Sequence, residues 1–394
     1  MQFFTRQFRH IKKGGSEELL RKIKLFLNII TKKFRIILTF LYRFCSFPLL
    51  KFYQLVTPVI YIEDLTKYLR QASPSKHLVT GKQKITKKPI CIYTRVWGSF
   101  SNLYDSILMR SLFQQGNILE LLKDGYQVKL SVHILESEML IINNIINKYL
   151  NTLSDQQLKL LSFELVKYSN KIDIIENSLS NNIKKCIANE SICIMATPDM
   201  FFGNNSISNI VKINMGRELC IAAVHFRVND NEFKELLGAT SQEISNPCLV
   251  SMSMRSPHQT LRDSFIEKEN CSFATGLTIQ RISDHSFATT FRAPSIFLAN
   301  FTQGDLKYFL NHPFNHWDHE WPTQLMVEGR YKCIGSSDAF FSVELTEPES
   351  HLCIHNSEIG NDEHMHHTSL HKELHRNFVV IVTSANSIET NSKN

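Results

Sequence analysis

The sequence predicts an α/β protein whose mostly parallel sheet is covered by helices on both faces. Between residues 90 and 228, apolar strand-like runs alternate with helical patterns about four times, and this alternation is typical of parallel sheets. The composition is globular, with 43% hydrophobic and 21% charged residues among 394. A chain of this kind can bury a sizeable core, and general disorder is excluded.

A basic helical arm is predicted at residues 1–72. Residues 1–88 carry 19 basic and 4 acidic side chains, whereas the remainder carries 25 and 33. Residues 17–50 mix Leu, Ile and Phe with Lys and Arg, which favours an amphipathic helix lying on an anionic membrane surface. The alternatives are a helix packed on the body of the protein and a single membrane span, although charges interrupt the apolar stretch.

The arm is not expected to bind nucleic acid, because phosphate contacts require basic residues but not so many aliphatic ones. No secretory signal-peptide pattern is present. Residues 73–89 are polar and basic and are predicted to be a linker into the main domain. We therefore expect a cytoplasmic protein at the membrane periphery.

The cysteine pattern also indicates a reducing compartment. The nine cysteines are odd in number and form no CxxC pair, so mostly structural thiols are expected in a cytosolic setting. They are Cys45, Cys91, Cys186, Cys193, Cys220, Cys248, Cys271, Cys333 and Cys353.

The main domain is predicted to span residues 90–350, and its elements follow from local patterns. Strands are predicted at residues 90–98, 126–135, 159–167, 191–197 and 219–228, and helices at residues 101–125, 137–153, 174–187 and 206–216. From about residue 229 we expect a mixed α+β second half, in which residues 276–292 alternate like paired strands around a Ser-Asp turn. Residues 351–394 are predicted to be a His-rich segment with a disordered end.

The stretch ICIMATPDMFFGNNS, residues 192–206, contains the first candidate site residue. Asp199 follows a strand-like run, and in parallel sheets ligands bind outside the carboxyl ends of strands. A carboxylate there is a ligand for a hard cation that also binds a diphosphate. The alternative is an ordinary Asx turn. Arg95 and Trp97 end the first strand. His225 and Arg227 lie on another strand, where a basic pair could contact phosphate oxygens or could simply share one face of the strand. There is no GxGxxG or P-loop motif.

Three further segments carry candidate chemistry. Trp317, Asp318 and Trp321 place aromatic rings beside a carboxylate, which suits sugar stacking next to a general base. Asp338 follows a Gly-Ser-Ser turn and is a second candidate base. His367, in the His-rich tail, is a candidate metal ligand. For each segment the alternative is structural: an anchored surface loop, a turn before a strand, and a solvated tail.

Two segments resemble a group of poorly characterised, glycosyltransferase-like bacterial proteins. RVWGSFSNLYDSILMRSLFQQGNILELL is similar to the opening of that group, and TPDMFFGNNSISNIVKINMGRELCIAAVHFRV is similar to its middle segment. The resemblance covers roughly residues 90–346. It implies a type-A glycosyltransferase-like fold, a nucleotide-sugar donor and a divalent cation, Mn2+ or Mg2+, near Asp199. One feature departs from the pattern, because Met200 and Phe201 stand where type-A enzymes commonly complete an Asp-x-Asp motif.

The resulting hypothesis is a membrane-associated glycosyltransferase that moves a sugar from a nucleotide-sugar to a lipid-linked or glycan acceptor. Asp199 would hold cation or donor, Asp318 or Asp338 would be the base, and Trp317 or Trp321 would stack on sugar. The missing second Asp keeps a second hypothesis open, a non-catalytic membrane-peripheral binding or scaffold protein that retains the fold.

Overall fold

Thirteen strands form three sheets in the computed structural model, which describes residues 87–215, 218–240, 243–265, 277–291, 295–312, 320–350 and 379–385. In chain order the strands are β1 (Ile90–Val96), β2 (Val128–Leu135), β3 (Leu161–Tyr168), β4 (Ile192–Met195), β5 (Met200–Phe202), β6 (Cys220–Ala223), β7 (His225–Asn229), β8 (Leu277–Ser283), β9 (Ser286–Phe291), β10 (Ser295–Ala299), β11 (Tyr331–Cys333), β12 (Ser342–Thr346) and β13 (Val379–Thr383).

The largest sheet has seven strands in the order β11-β6-β10-β4-β1-β2-β3. The strands β3, β2, β1 and β4 are parallel, and Ile90 of β1 pairs with Val128 of β2 and Ile192 of β4. β10 runs antiparallel to both of its neighbours, and β11 runs parallel to β6. The prediction of an α/β fold with a mostly parallel sheet is therefore confirmed.

Helices cover both faces of this sheet, because alternate residues of each strand point to opposite sides. On one face, Ile92 and Ile194 pack with Leu108 and Ile142. On the other face, Tyr93 packs with residues that include Leu179. The helical segments are Phe100–Leu103, the π-helical Tyr104–Met109, Arg110–Leu112, Ile118–Lys123, the 3-10 turn Glu136–Glu138, Met139–Leu150, Asp155–Leu158, Lys171–Ala188, Ser206–Asn214, Asp230–Ala239, Asn246–Arg255, Gln259–Arg262, Gln303–Asn311 and Glu320–Val327.

The two smaller sheets are built mainly from the second half of the chain. One has the order β5-β12-β7, with β12 antiparallel to β5 and parallel to β7. Its apolar face, which includes Phe226 and Val343, packs on Phe233 and Leu249 of two helices. The other has the order β13-β9-β8. Its β8–β9 hairpin confirms the predicted pair of strands around a Ser-Asp turn.

Two predicted elements are divided in the structure. The helix predicted at residues 101–125 stops after Leu112 and resumes at Ile118, because Gly116 adopts a left-handed conformation with φ of 84°. The strand predicted at residues 219–228 is two strands, β6 in the large sheet and β7 in the small one. Both predictions of a single element were wrong, and the second division carries the chain from the core to the candidate site.

The predicted arm at residues 1–72, most of the linker at residues 73–89 and most of the tail at residues 351–394 lie outside the described residues. The predicted domain boundaries therefore stay predictions. β13 was not predicted, and it brings Val379–Thr383 into the fold beside β9. Within the described residues, no helix combines the length and the apolar character needed to cross a bilayer.

We expect Gly116→Ala to lower the free energy of unfolding by roughly 1–3 kcal/mol. A Cβ at Gly116 would overlap the side-chain oxygens of Asn204 and Asn205, and the positive φ disfavours any side chain. Urea unfolding measures the change. Gly304→Ala is the matched control. Gly304 lies in a helix, and a Cβ added there would lie 3.5 Å from Thr302 Oγ1, an ordinary contact distance. An equal loss in both variants would contradict this explanation.

Candidate functional site

Asp199 lies beyond the carboxyl end of β4, in the connection to β5. The backbone N–H of Ala196 donates to the carbonyl of Tyr93 and so holds this connection against β1. The N–H of Leu345 donates to the carbonyl of Asp199 at 2.9 Å. Asp199 is thus tied to β12 as well as to β4, at the edge where parallel sheets bind ligands.

The small sheet brings a second carboxylate to the same place. Glu344 is the middle residue of β12, and its pairing partners are Met200 on β5 and Arg227 on β7. A carboxylate oxygen of Glu344 lies 3.1 Å from Nε2 of His225, and the other lies 3.4 Å from Nε of Arg227. We call Asp199, Glu344, His225 and Arg227 the polar cluster.

The polar cluster is partly open to solvent. The side chains of His225, Glu344 and Arg227 are 18%, 19% and 32% exposed, so a ligand can reach them. The opposite face of the same sheet is closed by the apolar packing of Phe226 and Val343. Any chemistry of the small sheet therefore takes place on its polar face.

Asp199 holds its negative charge poorly in this environment. The pKa of Asp199 is raised to about 7, first by burial and then by repulsion from Glu344, while hydrogen bonds and Arg227 oppose the change. Its Oδ1 atom is buried, and no described residue forms a hydrogen bond with it. A buried carboxylate oxygen without a partner, next to a second carboxylate, favours the approach of a cation or a hydrogen-bond donor.

The donor set suits a hard divalent cation. Such cations take oxygen ligands, often one or two carboxylates together with substrate phosphates. Asp199 and Glu344 supply two carboxylates, and Asp199 Oδ1 has no hydrogen-bond partner among the described residues. The described residues contain no group of three or more His, Cys, Asp or Glu arranged to hold a metal ion. Substrate oxygens would therefore have to complete any coordination sphere.

Arg95 and Trp97 lie at the carboxyl end of β1, the strand next to β4. The Arg95 guanidinium lies 5.8 Å from the centre of the Trp97 ring, and the Lys171 ammonium lies 5.5 Å from it. Two cations thus flank one partly exposed aromatic ring. The sheet places this group and the polar cluster at the same edge.

Asp338 is exposed in the loop before β12. Its backbone N–H donates to the Ser336 hydroxyl, and its carbonyl accepts from the Asn246 side chain. These contacts fix the loop and leave the Asp338 side chain at the surface. The loop continues into β12, which carries Glu344.

The structure places Trp321 in the core instead of at a binding surface. Its side chain is fully buried, its ring stacks on Phe301, and its Nε1–H donates to Asp305 at 2.8 Å. Neither face of this ring is available to a sugar, which corrects the expectation that Trp321 stacks on substrate. Three further predicted site residues lie outside the described residues: Trp317, Asp318 and His367.

Sequence reasoning named His225 beside Arg227 and Glu344 in the segment of Asp338, but it gave neither residue a defined role in the site. The signal was present but weak, since Glu344 is the one charged residue of the strand SVELT. An isolated glutamate on a strand usually faces solvent. The pairing of β12 with β5 and β7, segments far from it in the sequence, brings Glu344 beside Arg227 and His225.

We expect Glu344→Gln to lower the pKa of Asp199 from about 7, because the variant removes the repulsion while burial remains. A carboxyl group with a raised pKa in the folded state weakens the fold as pH rises from about 4 to about 7. The variant should therefore lose less stability across that range. NMR titration and thermal unfolding at several pH values measure the two effects. Glu347→Gln, at an exposed position, is the control, and an unchanged Asp199 titration would contradict the assignment.

The fold and the polar cluster define a mixed α/β protein with a polar site at the carboxyl edge of its sheet. Neither a protein-family model nor a curated protein matches the sequence. The chain is similar to a solved structure, the inositol-1-phosphate CTP transferase from T. maritima, with a TM-score of 0.31 and 9% identity. That match covers 67% of this chain and 91% of the other. A TM-score this low does not identify a family.

Proposed function

We propose that this protein is a glycosyltransferase that moves a sugar from a nucleotide-sugar donor to a glycan or lipid-linked acceptor. The observation that carries the proposal is the pair Asp199 and Glu344 at the carboxyl edge of the sheet, with the unpartnered Asp199 Oδ1. The resemblance of residues 90–346 to glycosyltransferase-like proteins supports the same class, and a type-A fold is part of the proposal.

Asp199 and Glu344 would hold a divalent cation, Mn2+ or Mg2+. When bound, the cation supplies positive charge for the diphosphate leaving group. His367 is proposed as a further ligand. Arg227 already pairs with Glu344, and His225 lies within hydrogen-bond distance of it. Both side chains would offer N–H groups to the phosphate oxygens of a bound nucleotide-sugar. Arg95 and Trp97 are proposed to bind the nucleotide-sugar at the carboxyl end of β1, the strand next to β4.

In the proposed reaction, an acceptor hydroxyl attacks the anomeric carbon of the donor sugar. The bond from that carbon to the diphosphate oxygen breaks, the nucleoside diphosphate leaves, and a carboxylate takes the hydroxyl proton. Asp338 or Asp318 is proposed as this base. Asp338 qualifies because its side chain is exposed on the loop that leads into β12. Trp317 is proposed to stack on sugar.

The acceptor would lie at a membrane. Residues 17–50 are proposed to bind an anionic bilayer surface, where lipid-linked acceptors are found, and the excess of basic residues in the arm supports this. Sedimentation with vesicles tests it: binding should require anionic lipid and weaken as salt is added. Equal binding to neutral vesicles would contradict an electrostatic arm.

Calorimetric titration of the full chain with a panel of nucleotide-sugars, with and without Mn2+, tests the main proposal. We expect heat of binding with at least one donor, its loss in Asp199→Ala, and release of nucleoside diphosphate when acceptor is added. No heat with any donor would reject the proposal.

A second function, a non-catalytic binding protein that keeps the fold, is favoured by one observation. The positions after Asp199 that commonly complete an Asp-x-Asp motif hold Met200 and Phe201, and both are buried in the apolar core. The same titration separates the two functions. Donor binding without release of nucleoside diphosphate, with any acceptor, would indicate the binding protein.

A further inference from the structure

Three buried thiols meet on the face of the large sheet covered by the helix Lys171–Ala188. Cys91 on β1 and Cys193 on β4 are direct pairing partners, so their side chains point to the same face. Cys186 reaches them from the helix, and all three side chains are buried. We call Cys91, Cys186 and Cys193 the thiol cluster. It lies near the amino ends of β1 and β4, away from the polar cluster.

One amide side chain organises the thiol cluster. Asn182 is fully buried, and its Nδ2 lies 3.3 Å from the sulfur of Cys193 and 3.6 Å from that of Cys186. Its Oδ1 accepts a hydrogen bond from Cys91 at 3.4 Å. Cys186 and Cys193 therefore flank the same nitrogen atom, while Cys91 lies on the oxygen side.

Cys186 is the thiol of the cluster that lies near a helix end, whereas Cys91 and Cys193 lie on central strands of the sheet. It lies two residues before the end of its helix, and the residues that follow, 188–190, are exposed. Glu190 has a φ of 48°, in the left-handed region that non-glycine residues seldom adopt. Fraying of a helix end costs far less free energy than global unfolding, so brief opening of this turn would expose Cys186.

The surroundings of Cys186 also favour the thiolate, which is the reactive form. The neighbouring thiols, Cys193 first and then Cys91, lower the pKa of the Cys186 thiol. The other described thiols differ, because burial raises the pKa of Cys248 and raises that of Cys220 and Cys333 to about 12. Cys248 is more exposed than Cys186. Exposure alone therefore predicts oxidation at Cys248, whereas the lowered thiol pKa predicts oxidation at Cys186.

We propose that Cys186 and Cys193 form a reversible disulfide when the protein meets a peroxide. The Cys186 sulfur attacks one peroxide oxygen, the O–O bond breaks, and a sulfenic acid forms as the second oxygen leaves as water or an alcohol. The Cys193 sulfur then attacks the sulfenic sulfur, the S–S bond forms, and the S–O bond breaks with release of water. A thiol reductant reverses the reaction, as expected for a disulfide in a reducing compartment.

Peptide mapping after oxidation tests this proposal. The reduced full-length protein is treated with hydrogen peroxide, blocked with N-ethylmaleimide and analysed by mass spectrometry. We expect a peptide cross-linked between Cys186 and Cys193 that dithiothreitol removes, while Cys248 remains alkylated. Cys186→Ser should abolish the cross-link, and Cys248→Ser and Cys91→Ser should keep it.

Three outcomes would overturn the proposal: oxidation of Cys248 before the thiol cluster, a cross-link of Cys186 to Cys91 instead of Cys193, or no cross-link when Cys248 is fully oxidised. Because Cys186 is buried, Cys186→Ser risks misfolding. The mapping of the unmodified chain and of Cys248→Ser, at a less buried position, therefore decides the question without it. None of these measurements depends on glycosyltransferase activity.

Discussion

Asp199→Asn is expected to abolish function and to stabilise the folded protein above neutral pH. Loss of the carboxylate should reduce kcat/KM for the donor found by titration by roughly 100-fold or more, as when an enzyme loses one group that stabilises developing charge. The same loss removes a buried charge from the fold. Opposite effects on activity and stability are typical of residues kept for function.

The sign of the stability effect follows from the pKa of Asp199. The folded protein holds this proton up to about pH 7, whereas the unfolded chain releases it near pH 4. Stability is therefore lost as pH rises through that range, and above it the cost is at most about 4 kcal/mol. The asparagine variant avoids this cost, so it should unfold at higher urea concentration at pH 8 and close to wild type near pH 4.

Urea unfolding at both pH values, with the activity assay, measures these effects. Asp284→Asn is the matched control, since Asp284 is exposed in the turn between β8 and β9, and it should change neither property. If Asp199→Asn destabilised the protein at pH 8 as much as near pH 4, Asp199 would be a structural residue and the proposed site would lose its main support.

Trp321→Ala is expected to lower the free energy of unfolding by about 3–5 kcal/mol, the usual cost of removing a large buried aromatic side chain. The change leaves a cavity beside Phe301 and Phe309 and removes the N–H donor to the buried carboxylate of Asp305. Trp321→Phe should cost less, because the phenylalanine ring fills most of the cavity that alanine would leave. The midpoint of urea unfolding measures both variants.

Trp97→Ala provides the comparison, since Trp97 is partly exposed and lies beside Arg95 and Lys171. It should weaken donor binding and change stability less than Trp321→Ala does. The reverse result, with stability unchanged by Trp321→Ala and sugar binding lost, would restore the original expectation that Trp321 stacks on substrate.

The parts of the fold that were predictable from the sequence rest on local patterns. β1 and β4 are short apolar runs, and β2 alternates with period two. The β8–β9 hairpin has its turn residues between two alternating strands. Strand direction followed from the alternation of strands and helices, since each helix returns the chain to the same end of the sheet.

The parts that were not predictable depend on contacts between distant segments. β10 is an apolar run that lies antiparallel between β4 and β6 in the large sheet. Nothing in its own residues specifies this position or direction. The division into β6 and β7 follows from pairing with β10 and β11 in one sheet and with β12 in another. Period-two patterns report which residues alternate but not which strand lies alongside.

The sequence by itself determined that this is an α/β protein and that Asp199 follows the carboxyl end of a strand. Only the tertiary structure decided which side chains accompany it. The pairing of three strands brings Glu344 and Arg227 near Asp199 and His225 against Glu344. Burial against Phe301 removes Trp321 from any binding surface. The physical reason is that hydrophobic periodicity is a property of consecutive residues, whereas burial and charge depend on what other segments of the chain place beside each residue.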